Sequence, residues 1–199
     1  MTHKETYNIL NRFSGEIQCS VEIECAVDAL PSMKLGLAVK VAIKENKDLS
    51  GSDLSRLDLR WSNLSRLDLS RSDLSGSNLR KSNLSGSNLS GSNLSGSDLS
   101  GSNLSGSNLS GSDLSDTKYN NDIISHIVAR ATRLDGYEFF AFATDNGIKI
   151  KAGCKYLSIK EAKAHVAKNY PNTPKAIETL SIIRHIESMA KLHKNGRAW

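Results

Sequence analysis

The protein has 199 residues, of which 38% are hydrophobic, 6% aromatic and 24% charged, and its formal net charge is +5. This length permits one ordinary domain or two small ones, and it excludes a large multidomain enzyme. No apolar run reaches the roughly 18–20 residues that a membrane span needs, and the polar start lacks the layout of a secretory signal. We therefore expect a cytoplasmic protein that does not contact a membrane.

The first segment, residues 1–46, is predicted to form a cap made of strands and a helix. Apolar and polar residues alternate over 17–25, which is typical of a half-buried strand and places Cys19 and Cys25 on its apolar face. There the two thiols are interpreted as small core side chains. A partner strand containing Tyr7, Ile9 and Phe13 is predicted to precede it, with residues 14–15 in the turn.

The run from Ser32 to Glu45 is rich in Ala, Leu and Lys and predicts a helix. Its central residues, 35–43, also alternate as in a strand, so a strand is the alternative. Either element is expected to cover the start of the segment that follows. An uncovered end there would expose apolar side chains and unpaired backbone groups.

A repeat of five residues occupies 47–116. Leucine recurs at every fifth position for fourteen units, preceded in each unit by Asp or Asn and, in all but three units, by Ser before that. The position two after leucine is Gly in eight units and a charged or aromatic residue in the other six, so it is expected to face solvent. The fourteen leucines run from Leu49 to Leu114, and those predicted to form the repeat core are Leu54, Leu59, Leu64, Leu69, Leu74, Leu79, Leu84, Leu89, Leu94, Leu99, Leu104 and Leu109.

A period of five fits neither a helix nor a continuous strand. A three-residue extended piece would point Ser and Leu inward and Asp or Asn outward, and the next two residues would turn a corner where Gly permits a positive φ. Repetition of this unit winds a solenoid whose successive coils pair like strands. A disordered Gly/Ser linker is the alternative, but a linker has no reason to keep leucine in phase.

The unit S-(D/N)-L-S-G resembles the pentapeptide-repeat family, whose consensus is A-(D/N)-L followed by two variable residues. The resemblance covers residues 47–116 and implies a right-handed quadrilateral β-helix with four units per coil, or 14/4 = 3.5 coils for the fourteen units. The expected fold is therefore mainly β, with this solenoid flanked by small α/β capping segments. Ser replaces the usual inward Ala, so its hydroxyl needs a carbonyl acceptor inside the coil.

Residues 117–199 are predicted to form a separate α+β module. Two apolar runs, 137–144 and 148–152, flank Asp-Asn-Gly, which is a strong hairpin signal. Ser158 and Glu161 form a capping box for a helix to about residue 168. A last helix is predicted from Pro174 to about residue 192, with an apolar stripe at Ile177, Leu180, Ile183, Ile186 and Ala190.

Charge is unevenly distributed among the three segments. Residues 1–46 hold 5 Lys or Arg against 6 Asp or Glu, residues 47–116 hold 7 against 8, and residues 117–199 hold 14 against 7. The net charges are therefore −1, −1 and +7, so an acidic partner is expected at the last segment. There the candidate binding residues are Lys149, Lys151 and Lys155, near Phe140 and Phe142. Lysine stems that merely cover the aromatic rings are the structural alternative.

Residues twenty apart are expected to stack on one face of the solenoid. This places Trp61 against Lys81 as a cation–π pair, beside Arg60 and Arg80, and these four residues form the candidate binding group of the tract. From residue 82 to 112 the tract has one charged residue, Asp98, so its decoration is concentrated in the first two coils. Solubility of a repetitive β surface is the alternative explanation.

A search for catalytic motifs supports no enzyme, cofactor or metal. The three cysteines (Cys19, Cys25, Cys154) form no CxxC pair and are too few for a disulfide framework, so we expect reduced thiols. No phosphate-binding glycine loop is present. The histidines share no ligand or catalytic spacing with a cysteine or carboxylate; they are His3, His126, His165, His185 and His193.

The leading hypothesis is a non-enzymatic interaction or scaffold protein that binds a host macromolecule, such as a topoisomerase or a defence protein, through the solenoid and C-terminal surfaces. A looser resemblance, carried by residues 136–140 and 151–154 together with the cap and tract, points to phage- and prophage-encoded pentapeptide-repeat proteins. Gyrase-binding relatives imply DNA mimicry, from which this short and nearly neutral tract departs. The remaining hypotheses are nucleic-acid binding by the basic module and a homodimer or higher homo-oligomer.

Overall fold

The protein was analysed as a computed structural model, which describes residues 2–153 and 155–194. Cys154, whose thiol was expected to be reduced, and the side chain of His193 lie outside the described residues. The chain divides into two compact units, Met1–Asn121 and Asp122–Trp199. Within the described part of the chain, none of the helices combines the length and apolar character that crossing a membrane requires.

The first unit begins with a hairpin and a helix. Strands β1 (Thr2–Leu10) and β2 (Ile17–Ala26) pair in antiparallel register, followed by helix α1 (Pro31–Lys44). The helical interpretation of this segment is confirmed, since its buried residues, Ala38, Val39 and Ala42, follow helical spacing. The interpretation of Cys25 as a core side chain is likewise confirmed, because it is buried with Val21 and Ile23.

The turn of this hairpin corrects one prediction. Phe13 was expected in the strand, but it lies in the turn and is 67% exposed. The reason is Asn11, whose side-chain oxygen accepts the backbone N–H groups of Phe13 (2.9 Å) and Ser14 (3.2 Å) and ends the strand early.

The repeat tract forms a solenoid with a period of twenty residues. Parallel bridges join each Asp or Asn to the residue twenty positions later, from Asp53 with Asp73 to Asp98 with Lys118. Each coil therefore contains four repeats. Leu54 shows the bonding: its N–H donates to Asp73 O at 2.8 Å, and Asp73 N–H donates to Ser52 O at 2.9 Å. All fourteen repeat leucines are buried.

The corners of the coil are turns with a left-handed residue. The residue two after leucine has a positive φ in every unit, whether it is Gly or not. In twelve of the fourteen units the N–H of the next residue donates to the leucine carbonyl, as in Ser62 to Leu59 at 3.2 Å, which is the pattern of a type II turn. The corner N–H itself donates to the next coil, as in Trp61 to Arg80 O at 3.1 Å.

The invariant Asp or Asn accepts a hydrogen bond from a backbone N–H group, and most inward Ser hydroxyls donate one to a backbone carbonyl. The Asp or Asn oxygen accepts the N–H two residues later, as in Asp113 with Ser115 at 2.9 Å, which also lowers the pKa of Asp113. Six inward hydroxyls donate to the leucine carbonyl three residues earlier, as in Ser92 to Leu89 at 2.7 Å. The expectation that these hydroxyls find carbonyls holds for those six and for Ser77, which donates to Leu54 O at 2.8 Å. It is wrong for Ser52, Ser97 and Ser102, whose buried hydroxyls have no hydrogen-bond partner among the described residues.

The series of parallel bridges between coils continues past the last repeat leucine, Leu114. Strand β3 (Thr117–Tyr119) pairs with Asp98 through Lys118, and Thr117 takes the Ser position while Tyr119 takes the Leu position. Thr117 donates to Leu94 O at 2.8 Å, and both residues are buried. Burial raises the pKa of the Tyr119 hydroxyl. A divergent fifteenth unit thus ends the first compact unit.

The second unit is a sheet covered by two helices. Strands β4 (Asp122–Thr132), β5 (Glu138–Thr144), β6 (Gly147–Ala152) and β7 (Lys155–Ser158) are antiparallel neighbours in chain order. Helices α2 (Ile159–Asn169) and α3 (Pro174–Lys194) follow. The hairpin and the Ser158–Glu161 capping box are confirmed, whereas β4 and β7 were not predicted.

The apolar stripe of α3 differs from the prediction at its start. Ile177 is 68% exposed, while Ala176, Thr179, Ile183, Ile186 and Ala190 are buried. The stripe thus begins one residue earlier, and a shift of one residue turns a helical side chain by about 100°.

Candidate functional site

The corners of the solenoid stack in columns, and the first two coils carry large side chains there. Arg56, Trp61, Arg66 and Arg71 occupy four successive corners, and Lys81 follows one coil after Trp61. We call these five residues the corner set. They all have positive φ, between 56° and 61°.

Each corner side chain lies beside the corner of the next coil. A Cβ on Gly76 would be 3.5 Å from Arg56 Cγ, and a Cβ on Gly86 would be 3.5 Å from Arg66 Cγ. The same approach occurs between Gly101 and Lys81, at 3.3 Å. Glycine in the next coil thus leaves room for these long side chains to lie along the solenoid.

Trp61 and Lys81 make the expected cation–π contact. The Lys81 ammonium lies 4.4 Å from the centre of the Trp61 ring. The indole is nevertheless 70% exposed, and its backbone holds a φ of 61°. A large exposed aromatic in a left-handed turn costs about 1–2 kcal/mol relative to an unstrained backbone. Such a residue is not explained by folding.

The two arginines predicted beside this pair are engaged by carboxylates. Arg60 holds Asp58 through three contacts of 2.6–3.0 Å, which lowers the pKa of Asp58 and raises that of Arg60. Arg80 lies 3.7 Å from Asp98. The candidate group of the tract is therefore an aromatic–ammonium pair flanked by ion pairs.

An uncharged face adjoins this corner. Asn63, Asn83 and Asn103 stack twenty residues apart, with side-chain amide contacts of 3.4 and 3.5 Å between neighbours. Arg66 occupies the corner on the far side of this face. Trp61, Lys81 and Arg66 therefore border a surface of side-chain amides.

Phe13 is an exposed aromatic that the sequence pattern did not reveal as a surface residue. The Arg12 guanidinium lies 4.7 Å from its ring centre, and Arg12 also donates to Ser72 O at 2.7 Å. Phe13 and Arg71 line a polar groove of about 400 Å³. The signal that could have found it is Asn11, a residue that commonly starts turns.

The three candidate lysines of the second unit are not brought together. Lys149 pairs with Phe142 and Lys151 with Phe140 across the hairpin, as predicted, so these residues share one face. Lys155 lies opposite Ala152 and lines a cavity with Ile150, on the other face. Alternation along a strand separates them.

Two of these lysines have protein partners. Lys151 is 3% exposed and donates to Gly153 O, while the Lys149 ammonium lies 3.9 Å from Asp122. The Phe140 and Phe142 rings stack 6.2 Å apart, also buried. The geometry supports the structural alternative, in which lysine stems cover aromatic rings.

A polar cluster that sequence spacing missed lies on the N-terminal hairpin. His3 and Glu5 point to one side of β1, and the strand register places Cys25 opposite His3. His3 Nε2 and Cys25 Sγ each lie 3.3 Å from a Glu5 oxygen. Their ligand atoms fall within 4.8 Å of one another, a spacing that could hold a metal ion.

Two features of this cluster oppose metal binding. The Lys34 ammonium lies 2.8 Å from Glu5 and already supplies a positive charge. Burial, followed by the hydrogen bond to Glu5, raises the pKa of the Cys25 thiol, whereas metals bind the thiolate. The cluster is best interpreted as a link between the hairpin and helix α1.

The Glu5–Lys34 pair makes stability depend on pH. The hydrogen bonds from Lys34 and then Cys25 lower the pKa of Glu5. The contribution of Glu5 to folding stability is fully present above its pKa in the unfolded chain, about 4.3, and is lost as the pH falls through its lower pKa in the folded chain.

We expect Glu5→Gln to lower the melting temperature at pH 7, and the difference from wild type to shrink towards pH 3. Thermal scans across this range test it. A Glu22→Gln control should show a smaller effect, and a difference that grows on acidification would contradict the assignment.

The repeat tract matches known repeats. Residues 48–80 and 82–118 match the family model described as pentapeptide repeats, in eight copies. A search of curated proteins found no match to the chain.

Solved structures also resemble part of the chain. A pentapeptide repeat protein from the thylakoid lumen of Arabidopsis thaliana is 31% identical over 37% of this chain and 48% of its own, with a TM-score of 0.29. Rfr23 from the cyanobacterium Cyanothece 51142 is 35% identical over 35% and 50%, with a TM-score of 0.24. QnrB1, a plasmid-mediated fluoroquinolone resistance protein, is 23% identical over 36% and 38%, with a TM-score of 0.22.

The chain spans about half the length, or less, of these structures. The likeness therefore concerns part of each protein and not the whole. Together with the twenty-residue period and the buried leucines, the family match identifies the central tract of this chain as a β solenoid of pentapeptide repeats.

Proposed function

We propose that the chain is a non-enzymatic interaction protein that binds a macromolecule through the corner set of its solenoid. The observation that carries this proposal is Trp61, exposed at 70% and held at a φ of 61° against Lys81. Tryptophan and arginine are the residues most enriched at binding hot spots. The tract keeps them at corners where Gly would be less strained.

The partner favoured by this surface is a protein with an acidic patch. Four members of the corner set are cationic, and the Asn face beside Trp61 offers donors and acceptors without charge. We further infer that the coil is a right-handed, four-sided β-helix, which the four corners per twenty residues support. Phage or prophage origin, a cytoplasmic location and homo-oligomerisation stay predictions, as do the domain limits 1–46, 47–116 and 117–199.

DNA mimicry towards gyrase is less well supported by the charge arrangement. Each Asp column of the solenoid is interrupted by Asn, and Asp58 and Asp98 face Arg60 and Arg80. A mimic of duplex DNA needs a regular row of negative charge. Inhibition of gyrase supercoiling by micromolar protein would overturn this ranking.

The experiment compares capture of bacterial proteins by three forms of the full chain. Wild type and Asp116→Gly should retain a partner that the double variant Trp61→Gly/Lys81→Gly loses by ten-fold or more, as for a hot spot worth about 2 kcal/mol. Asp116 is the matched control, because it has the same left-handed corner at a φ of 57°. Equal capture by all three forms, or none by wild type, contradicts the proposal.

Fluorescence then tests direct contact. The chain has two tryptophans, so a Trp199→Phe variant leaves Trp61 as the single emitter. Burial of the indole by the captured partner should shift its emission to shorter wavelength. An unchanged spectrum at saturation would show that the partner binds elsewhere.

A further inference from the structure

A cavity of about 130 Å³ opens into the core of the second unit. It lies among strands β5, β6 and β7 and helices α2 and α3. Its apolar wall consists of core side chains: Phe139, Ile150, Leu157, Ala162, Val166 and Ile183. The cavity is thus continuous with the hydrophobic core of this unit.

The volume fits one ring-sized apolar group. An apolar cavity of about 150 Å³ in another protein accommodates benzene. Two tyrosines, Tyr137 and Tyr170, also line the cavity and are partly exposed, so its mouth is accessible to a small molecule. The Tyr137 ring packs edge-on against Phe139, with ring centres 5.4 Å apart.

The cavity lining includes three cationic side chains, and its other polar residues are His165, Thr179 and the two tyrosines. The three cations are Arg133, Lys155 and Lys175, and the described residues that line the cavity include no carboxylate. Asp135 neutralises part of this charge, because it lies 2.7 Å from Arg133 and 3.3 Å from Lys175. Lys155 is exposed and adds charge beyond that pairing.

Arg133 is fixed in position. It is 7% exposed, its Nε and Nη2 donate to Asp135, and its Nη1 donates to Thr179 at 3.0 Å. Its guanidinium also lies 4.9 Å from the Tyr137 ring centre. Arg133 is thus an ion-paired guanidinium held in one position beside the apolar wall, so the unpaired positive charge at the cavity comes from the lysines.

We propose that this cavity binds a small aromatic carboxylate, with the ring against the apolar wall and the carboxylate towards Lys155 and Lys175. The ring follows from the volume and the apolar wall, and the negative group follows from the excess of cations at the mouth. This site is independent of the corner set and extends beyond the proposed function.

Titration of the full chain with benzoate, and with benzamide as its neutral isostere, tests the proposal by NMR chemical shift. Benzoate should bind with a Kd of about 1 mM, in keeping with a ligand of nine heavy atoms, and benzamide at least ten-fold more weakly. Lys155→Gln should weaken benzoate several-fold and leave benzamide unchanged. Lys168→Gln, an exposed lysine of α2 outside the lining, is the matched control and should change neither.

A second variant tests the position of the ring. Ala162→Leu should fill the cavity and abolish binding of both probes, with folding verified by circular dichroism. If that variant fails to fold, Lys155→Gln still tests the proposal, because Lys155 is exposed and its replacement should not prevent folding. Equal affinities for benzoate and benzamide, equal losses in the two lysine variants, or no shift at about 10 mM benzoate would overturn the proposal.

Discussion

Leu84→Ala is expected to lower the free energy of unfolding of the solenoid by about 2–5 kcal/mol. Leu84 is 0% exposed in the middle of the tract, where coils pack above and below it. The narrow interior is built in most units from one leucine and one serine, so neighbouring side chains are too short to refill the space. Urea denaturation followed by circular dichroism measures the effect.

The matched control is Leu134→Ala. This leucine is 96% exposed, so the same truncation removes almost no buried surface. Its effect should stay within about 0.5 kcal/mol. Similar losses in the two variants would mean that the interior leucines do not carry the stability of the tract.

Replacement of Arg56, Trp61, Arg66 and Arg71 by Gly is expected to stabilise the solenoid while it abolishes partner binding. A left-handed residue costs about 1–2 kcal/mol, and the greater freedom of Gly in the unfolded chain returns about 0.5–1 kcal/mol of that. Loss of the Trp61–Lys81 contact subtracts about 0.5–1 kcal/mol. The net gain expected for the quadruple variant is about 2 kcal/mol.

The reverse change provides the control for this prediction. Gly96→Arg places the same side chain at a corner with a φ of 64° and no atom within 4 Å of the new Cβ. It should destabilise by about 0.5–1 kcal/mol through the backbone alone. A quadruple variant that is less stable than wild type would show that the corner set is retained for folding.

The solenoid was predictable because its rules are local. The roles of leucine, of Asp or Asn, and of Ser are all set within one unit of five residues. Repetition of the unit shows which position each residue occupies. The pattern also predicted that the corners face solvent. The residue types Arg and Trp do not themselves indicate a positive φ. The left-handed backbone of Arg56 and Trp61 can be inferred only because they occupy the repeat position that is Gly in other units.

Strand β4 was missed because irregularities break its alternation. Its register shifts between Ile124 and His126 and again between Ile127 and Ala129. Each shift moves the later side chains to the opposite face of the sheet. Two apolar residues, Ile127 and Val128, therefore follow one another, and the alternation of apolar and polar residues is lost. Periodicity is the main signal for a strand, and here it is lost within eleven residues.

The candidate sites depend on contacts between distant residues. Trp61 and Lys81 could be paired from the sequence, because the resemblance to pentapeptide repeats implied four units per coil. By contrast, the cavity needs Arg133, which follows β4, to meet Lys175 of α3, and the hairpin cluster needs His3 and Cys25 in register. No spacing along the chain reports such approaches, which arise from packing and strand pairing.

The twenty-residue period limits how this chain can change in length during evolution. Gain or loss of a single unit would move every later side chain to the neighbouring column, and between Trp61 and Lys81 it would separate this pair. Gain or loss of four units would keep every column intact and alter only the height of the stack. The uniform Ser-Gly units after Lys81 can therefore vary in multiples of four without moving any later residue, such as Lys118 of β3, to another column.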